Sequence, residues 1–443
     1  MFARVADMFR IEELRRKILV TLALLAVYRV GFHVPLPGVD PKALADFLRG
    51  GGSGALVDLF NVLSAGDLLS CTLFSLGIMP YISSSIIFSL LTKVLPSLEK
   101  IAKEGSQGQR RINQWTRLAT VPICLLQALF IWGGALKPGS FLLGEGVALV
   151  PEEVHGTFWF ASTVVLGLTA GTIFLMWIGE QITEYGIGNG ISMLIMANIV
   201  VRIPEAVGQI LASSMQDGQR TEILKLGLLV ILFLVVTLGV VFISKGERRI
   251  PVQYAKLVRG RSVYGGQRHW FPLKLMAVSV MPVIFSSTLL ILPQQALHYF
   301  GVTALDTGGF LYSALDIVGI VFFSFFWVGM MFNPKEMADQ LKEHGAFIPG
   351  IRPGRRTQEY FDESLQRITL AGAFFLAVIA LVPDVAAQSM GLPRVTASFV
   401  GGTSILITVS VAMDLANRVN SYLLMRNYKG FMDGGSLSGG GGF

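Results

Sequence analysis

Apolar residues in this chain come in long unbroken runs, rather than at the period of 2 or 3.6 that marks half-buried strands and helices. Crossing about 30 Å of hydrocarbon takes roughly 20 residues. Runs near that length occupy 18–34, 73–95, 118–136, 158–178, 187–204, 223–243, 273–292, 310–332, 368–382 and 395–413. The ninth is short and can extend toward Met390. Ten membrane-spanning helices are expected from this pattern. The basic stretch 1–17 precedes the first run with no small-residue cleavage site, so that run reads as a retained helix and not a signal peptide.

The polar connections carry the charge unequally. With the N-terminus in the cytosol, 28 of the 36 Lys and Arg residues lie on the cytosolic side. The other eight are Arg29, Lys42, Arg49, Lys137, Arg202, Arg220, Lys225 and Arg394, at or near the outer side. Such an excess sets orientation by the positive-inside rule, so both termini are expected in the cytoplasm. The largest loops, 245–272 and 333–367, are cytosolic and basic.

Composition narrows the function. Apolar residues make up 52% of the chain and charged residues only 15%, against about a quarter in soluble proteins. A soluble multi-domain enzyme and a disordered protein are both excluded. Cys71 and Cys124 lie in apolar runs, and His33, His155, His269, His298 and His344 form no pair at helical spacing. A disulfide framework, a metal site and a haem site therefore lack their residues, and no cofactor is expected. Intramembrane catalysis lacks a paired-carboxylate or metal-ligand motif, so the chain is not read as an enzyme. An ion-coupled transporter needs ionisable groups at membrane depth. Here Arg29, Glu180 and Asp414 sit near run ends, and Asp316 near the outer end of the eighth run reads as solvated or cavity-facing.

Three stretches depart from plain spans. Segment 54–72 holds Asp58, Asn61 and Asp67 and is interrupted by Gly66. It fits either a short helix in a water-filled vestibule or an ordinary outer loop. Along 76–91, Ile78, Ile82 and Ile86 recur at i, i+4 and i+8, a stripe that serves packing or lipid contact unless context says otherwise. Gly186, Gly188 and Gly190 mark a tight hairpin between the fourth and fifth runs, with Ile187 and Ile191 again at i, i+4. The chain is expected to divide into 1–220 and 221–432, five spans each, followed by a disordered Gly-rich tail, 433–443. An odd number of spans per half is the logic of an inverted repeat.

The stretches LGIMPYIS, GEQITEYGIGNGIS, ERRIPVQYAK, GAFIPGIRPG and GGTSILI occur in that order. Together they resemble the SecY family, the channel-forming subunits of the bacterial Sec translocase, over nearly the whole chain. The resemblance implies an all-α, multi-pass fold in the bacterial inner membrane, with two inverted five-helix halves around an hourglass pore. Its constriction would be a ring of Ile78, Ile82, Ile187, Ile191, Ile284 and Ile407, with Ile86 nearby. Branched aliphatic groups converging in a neck exclude water and ions yet yield to a passing chain. A plug helix would include Leu59, Phe60, Asn61, Leu63, Ser64 and Gly66, although Asp67 and the Leu69-Ser70 pair depart from the family pattern. A lateral gate would be lined by Ser83, Ser84, Gln127, Ser286 and Ser287; small-residue helix packing accounts for these serines equally well. Arg248, Arg249, Arg259, Arg261 and Arg352 would dock the SecA motor ATPase or the translating ribosome. SecE- and SecG-like subunits, signal sequences, nascent chains and membrane lipids complete the implied partners. The implied function is translocation of unfolded, signal-bearing polypeptides, with membrane segments released sideways. An inverted-repeat secondary solute transporter is the alternative, and a pore-free insertion scaffold a second.

Overall fold

The computed structural model describes residues 11–38, 72–135, 155–201, 220–254, 257–259, 262–264, 268–275, 309–389 and 402–435, with short pieces at 150, 204, 208 and between 281 and 293. The chain divides into two compact units, Met1–Arg202 with Val411–Phe443, and Ile203–Ser410. The expected boundary near 220 and the tail 433–443 are not decided by that division. The plug residues Leu59, Phe60, Asn61, Leu63, Ser64 and Gly66 lie outside the described residues, as do Ile284, Ser287 and Arg261.

The first unit contains α1 (Glu12–Gly31), α2 (Met79–Val94), α3 (Pro96–Lys103), α4 (Ser106–Phe130), α5 (Phe158–Tyr185) and α6 (Gly190–Val201). The run at 73–95 is only partly helical. Residues 73–78 form successive turns, with Gly77 at φ 57°, and the helix opens at Met79 with Pro80 in its first turn, a position where a missing N–H costs nothing. Pro96 ends it: Leu95 is extended, as a residue before proline prefers, and α3 leaves at 99° to α2. The second unit holds α7 (Arg220–Lys245), α8 (Phe310–Met331), α9 (Pro334–Glu343) and α10 (Arg355–Ser389). A last helix, α11 (Gly402–Gly435), runs across the division between the units.

Four of the described helices are long and apolar enough to cross a bilayer: α4, α5, the one that begins with α8, and α10. The bent pair α2–α3 makes a fifth if counted as one span. Helix α5 is apolar all round, as a lipid-bathed helix should be. One face, including Val164, Leu168, Leu175, Ile178 and Ile182, is fully buried, while Phe158, Trp159, Leu166 and Trp177 face outward. Phe242 and Phe310 are likewise 81% and 90% exposed, as side chains facing lipid would be.

Loop 245–272 is built of strands, and loop 333–367 adds a short one beside its helices, so the all-α expectation is corrected to mostly helical with a small sheet. β1 (Glu247–Tyr254), β2 (Leu257–Arg259), β3 (Ser262–Tyr264) and β4 (Arg268–Lys274) come from the first loop and β5 (Ala346–Phe347) from the second. They form a sheet ordered β4-β1-β5, with β2 and β3 as a separate hairpin. Antiparallel pairing sets Arg248 opposite Leu273 and Ile250 opposite Phe271; Tyr254 meets Ala346. The chain is still in β4 at Leu273 and Lys274, so the seventh run does not begin as a helix. Pro251 and Pro272 sit in this small sheet, yet β-branched Ile250 and Val252 alternate inward and are buried. Ile250 and Leu273 pack with Trp327, Val328, Phe361, Leu365 and Ile368, joining the sheet to the ends of α8 and α10.

Candidate functional site

In the first unit, an apolar cluster forms where α1 and the turns leading into α2 meet α5 and α6. Its buried members include Tyr28, Phe74, Ile78, Leu175, Ile178, Ile182, Met193 and Leu194, with Ile82 and Ile191 packed against it. Three of the ring candidates, Ile78, Ile82 and Ile191, therefore share one cluster. Ile187 does not. It is buried in a second cluster with Leu14 and Val419, flanked by Ile11, Ile18 and Tyr422. The reason is local: α5 stops at Tyr185 and α6 starts at Gly190, so the i, i+4 spacing of Ile187 and Ile191 does not fall within one helix. In the second unit Ile407 is half-buried on α11.

The hairpin between α5 and α6 is held by hydroxyl and amide side chains. Thr183 Oγ1 accepts from Gly190 N–H at 2.8 Å and donates to the Gly179 carbonyl at 2.8 Å. Asn189 Oδ1 accepts from the N–H groups of Ile191 and Ser192 at 3.1 and 3.4 Å, capping α6. Thr21, on α1, accepts from Ile187 N–H at 3.1 Å. Gly188 takes φ 89°, the left-handed region that favours glycine. At Gly190 a Cβ would overlap the backbone carbonyl of Gly179, so α5 and α6 cross where only glycine fits.

The gate candidates have different surroundings. Ser84 is buried and donates to the Thr116 carbonyl at 2.7 Å, tying α2 to α4. Ser83 and Gln127 are half-buried. Ser286 is buried and bonds Asp316 on α8 twice, to the side chain at 2.7 Å and to the main-chain carbonyl at 3.0 Å. A Cβ at Gly319 would collide with the Ser286 hydroxyl. Asp316, read from the sequence as solvated or cavity-facing, is half-buried and accepts from the Ser286 hydroxyl. Ser286→Ala removes both bonds and is expected to lower stability by about 1–3 kcal/mol, measured by thermal unfolding of the purified protein; an unchanged midpoint would show that water replaces the serine.

On the sheet, Arg248 and Arg249 are exposed at the start of β1. Arg249 Nε lies 2.7 Å from Glu247 Oε1, a surface pair of at most about 1 kcal/mol that leaves the guanidinium available. Arg259 belongs to β2. Arg352 is exposed on the turn between β5 and α10. Gly350 and Gly354 flank it at φ 85° and 104°, and Thr357 Oγ1 donates to the Arg352 carbonyl at 3.0 Å. No group of three or more His, Cys, Asp or Glu able to hold a metal occurs among the described residues.

The sequence did not point to Thr21, Thr183, Asn189 or the Ser286–Asp316 pair. Thr21 left one trace: it is the one hydroxyl in the aliphatic stretch 18–27.

Residues 72–416 match the family model described as SecY. The chain is 40% identical over 439 residues to the protein translocase subunit SecY of Escherichia coli K12, covering 96% of each. Its fold is similar to a solved protein-conducting channel, with TM-score 0.61 and 20% identity over 92% of each chain. It is also similar to Sec61 in the canine ribosome–channel complex from the endoplasmic reticulum, with TM-score 0.57 and 18% identity over 92% of each chain.

Proposed function

Because the chain belongs to the SecY family, we propose that it is the channel subunit of a bacterial protein translocase, a multi-pass membrane protein through which unfolded, signal-bearing polypeptides cross. The observation that carries this reading is 40% identity to a translocase subunit over nearly the whole chain, with the ring-bearing motifs LGIMPYIS and GEQITEYGIGNGIS converging on one apolar cluster. The same likeness favours a channel over a secondary solute transporter.

The finer architecture is part of the proposal. Ten spans in two halves, 1–220 and 221–432, with both termini cytoplasmic, follow from the hydropathy and charge of the whole chain. The ring takes Ile78, Ile82 and Ile191 from the first unit and Ile284 and Ile407 from later spans; Ile187, enclosed by Leu14 and Val419, supports the hairpin. Segment 54–72 closes the outer side of the neck as a plug. A lateral gate releases membrane segments, lined by Ser83, Ser84, Gln127, Ser286 and Ser287, with Ser84 and Ser286 also bonded to Thr116 and Asp316. The sheet β4-β1-β5 gives the two basic loops one scaffold. Arg248, Arg249, Arg259, Arg261 and Arg352 dock a SecA-type motor or the ribosome, since guanidinium suits carboxylate and phosphate alike. SecE- and SecG-like subunits accompany the channel. It performs no hydrolysis itself; the motor or translation supplies the work.

The test is a photocrosslinker at Ile82 or Ile191 in the reconstituted complex, challenged with a stalled secretory chain. Adducts at both positions are expected, with none from Ile187. A stalled chain that reaches neither Ile82 nor Ile191 would rule out the conduit.

A further inference from the structure

We infer that Thr21 is a positioning residue for the hairpin that presents Ile191, an anchor from the first helix that fixes where the α5–α6 turn sits. The inference rests on the channel reading only in its last step, the link from hairpin to seal.

Two kinds of bond hold this hairpin. Those from Thr183 and Asn189 are local, reaching residues within the same turn, and they set its shape. The Thr21 bond comes from a helix 166 residues away in sequence, and it sets placement. Thr21 is buried, and its one hydroxyl does two things: it donates to the Lys17 carbonyl at 2.9 Å, one turn back on α1, and accepts from Ile187 N–H at 3.1 Å. The donation orients the oxygen's lone pair toward the hairpin. Gly186 makes the approach feasible, since a Cβ there would clash with the Thr21 oxygen. The Ile187 side chain adds apolar contact with Leu14 on the same helix. Thus an amide and a side chain of one residue both grip α1, four residues before Ile191 takes its place in the first turn of α6. An amide buried among aliphatic groups loses its hydrogen-bond partner when that hydroxyl goes.

Thr21→Val keeps the side chain's shape and removes the oxygen; Thr21→Ser keeps the oxygen and removes a methyl group. In the full channel complex in lipid nanodiscs, hydrogen exchange over residues 186–190 should speed up about tenfold in Thr21→Val, as expected for an amide losing a buried bond. It should stay near wild type in Thr21→Ser. Resting ion leak in planar bilayers should rise with valine and not with serine. If the valine variant does not assemble, Thr21→Ala removes the same oxygen without a branched carbon. Unchanged exchange without the hydroxyl, or serine behaving like valine, overturns the anchor. Faster exchange with no leak overturns its positioning role, provided Ile191→Ser leaks. If Ile191→Ser does not leak, the ring reading fails instead, and the exchange result alone decides whether Thr21 holds the hairpin.

Discussion

Gly190→Ala is expected to prevent accumulation of folded protein, whereas Gly179→Ala, on the facing helix, should be tolerated. The two glycines meet where α6 crosses α5, but what a methyl group would strike differs. At Gly190 the new Cβ would overlap the carbonyl oxygen of Gly179 and come within 2.8 Å of Ile182 Cβ. A carbonyl in the middle of a hydrogen-bonded helix cannot swing aside, so α6 must move. At Gly179 the nearest atom is the Ile191 Cγ1 at 3.2 Å, followed by the Leu194 Cδ1 at 3.4 Å, both on side chains able to shift by a few tenths of an ångström. Ordinary overpacking costs about 1–3 kcal/mol; Gly190→Ala should exceed that range and Gly179→Ala should fall at or below its lower end. Displacing α6 also breaks the Thr183 bond to the Gly190 amide, leaving a polar group without its partner. Protease resistance and thermal unfolding of the purified variants measure both. Equal stability of the two would mean that the helices do not cross this closely.

Arg352→Glu should reduce motor-driven translocation by at least about tenfold, the loss for removing 1.4 kcal/mol or more of a charge-assisted contact and replacing it with repulsion. Abundance and membrane insertion of the channel should be unchanged. The separation of these effects comes from the turn. Gly350 and Gly354 hold its backbone in conformations other residues rarely adopt, and the Thr357 hydroxyl bonds the Arg352 carbonyl, not its side chain. The guanidinium is exposed, so reversing its charge leaves the backbone bonds in place. Arg249→Glu is the useful comparison, since Glu247 stands beside it and part of its charge is already offset. Translocation into proteoliposomes, with ATP hydrolysis by the motor followed in parallel, reads the result; normal export by Arg352→Glu would remove this residue from the docking surface.

Membrane character was legible from residue order alone. A helix apolar on every side, such as α5, needs no partner to be recognised, because lipid accepts whatever the protein does not bury. Helix stops were legible where covalent geometry imposes them: Pro96 ends α2, and the glycines at 186, 188 and 190 end α5 and restart α6. Periodicity misled where the helix it assumes is interrupted. Ile187 and Ile191 are four apart, but with Gly188 in a left-handed turn between them they enter different clusters.

Partnership across the chain was the part that sequence did not contain. β5 has two residues and no pattern of its own; it becomes a strand because Gln253 and Tyr254 offer it an edge. Nothing near Asp316 in sequence announces its donor, Ser286, thirty positions earlier. Thr21 in an aliphatic run is an ordinary residue until the Ile187 amide arrives beside it. Order of residues therefore determined which segments are greasy and where proline and glycine interrupt them, since each depends on a residue and its near neighbours. Which hydroxyl meets which amide, and which strand completes the sheet, came only from the tertiary structure, because a hydrogen bond needs two groups within about 3 Å and distance along the chain says nothing about that.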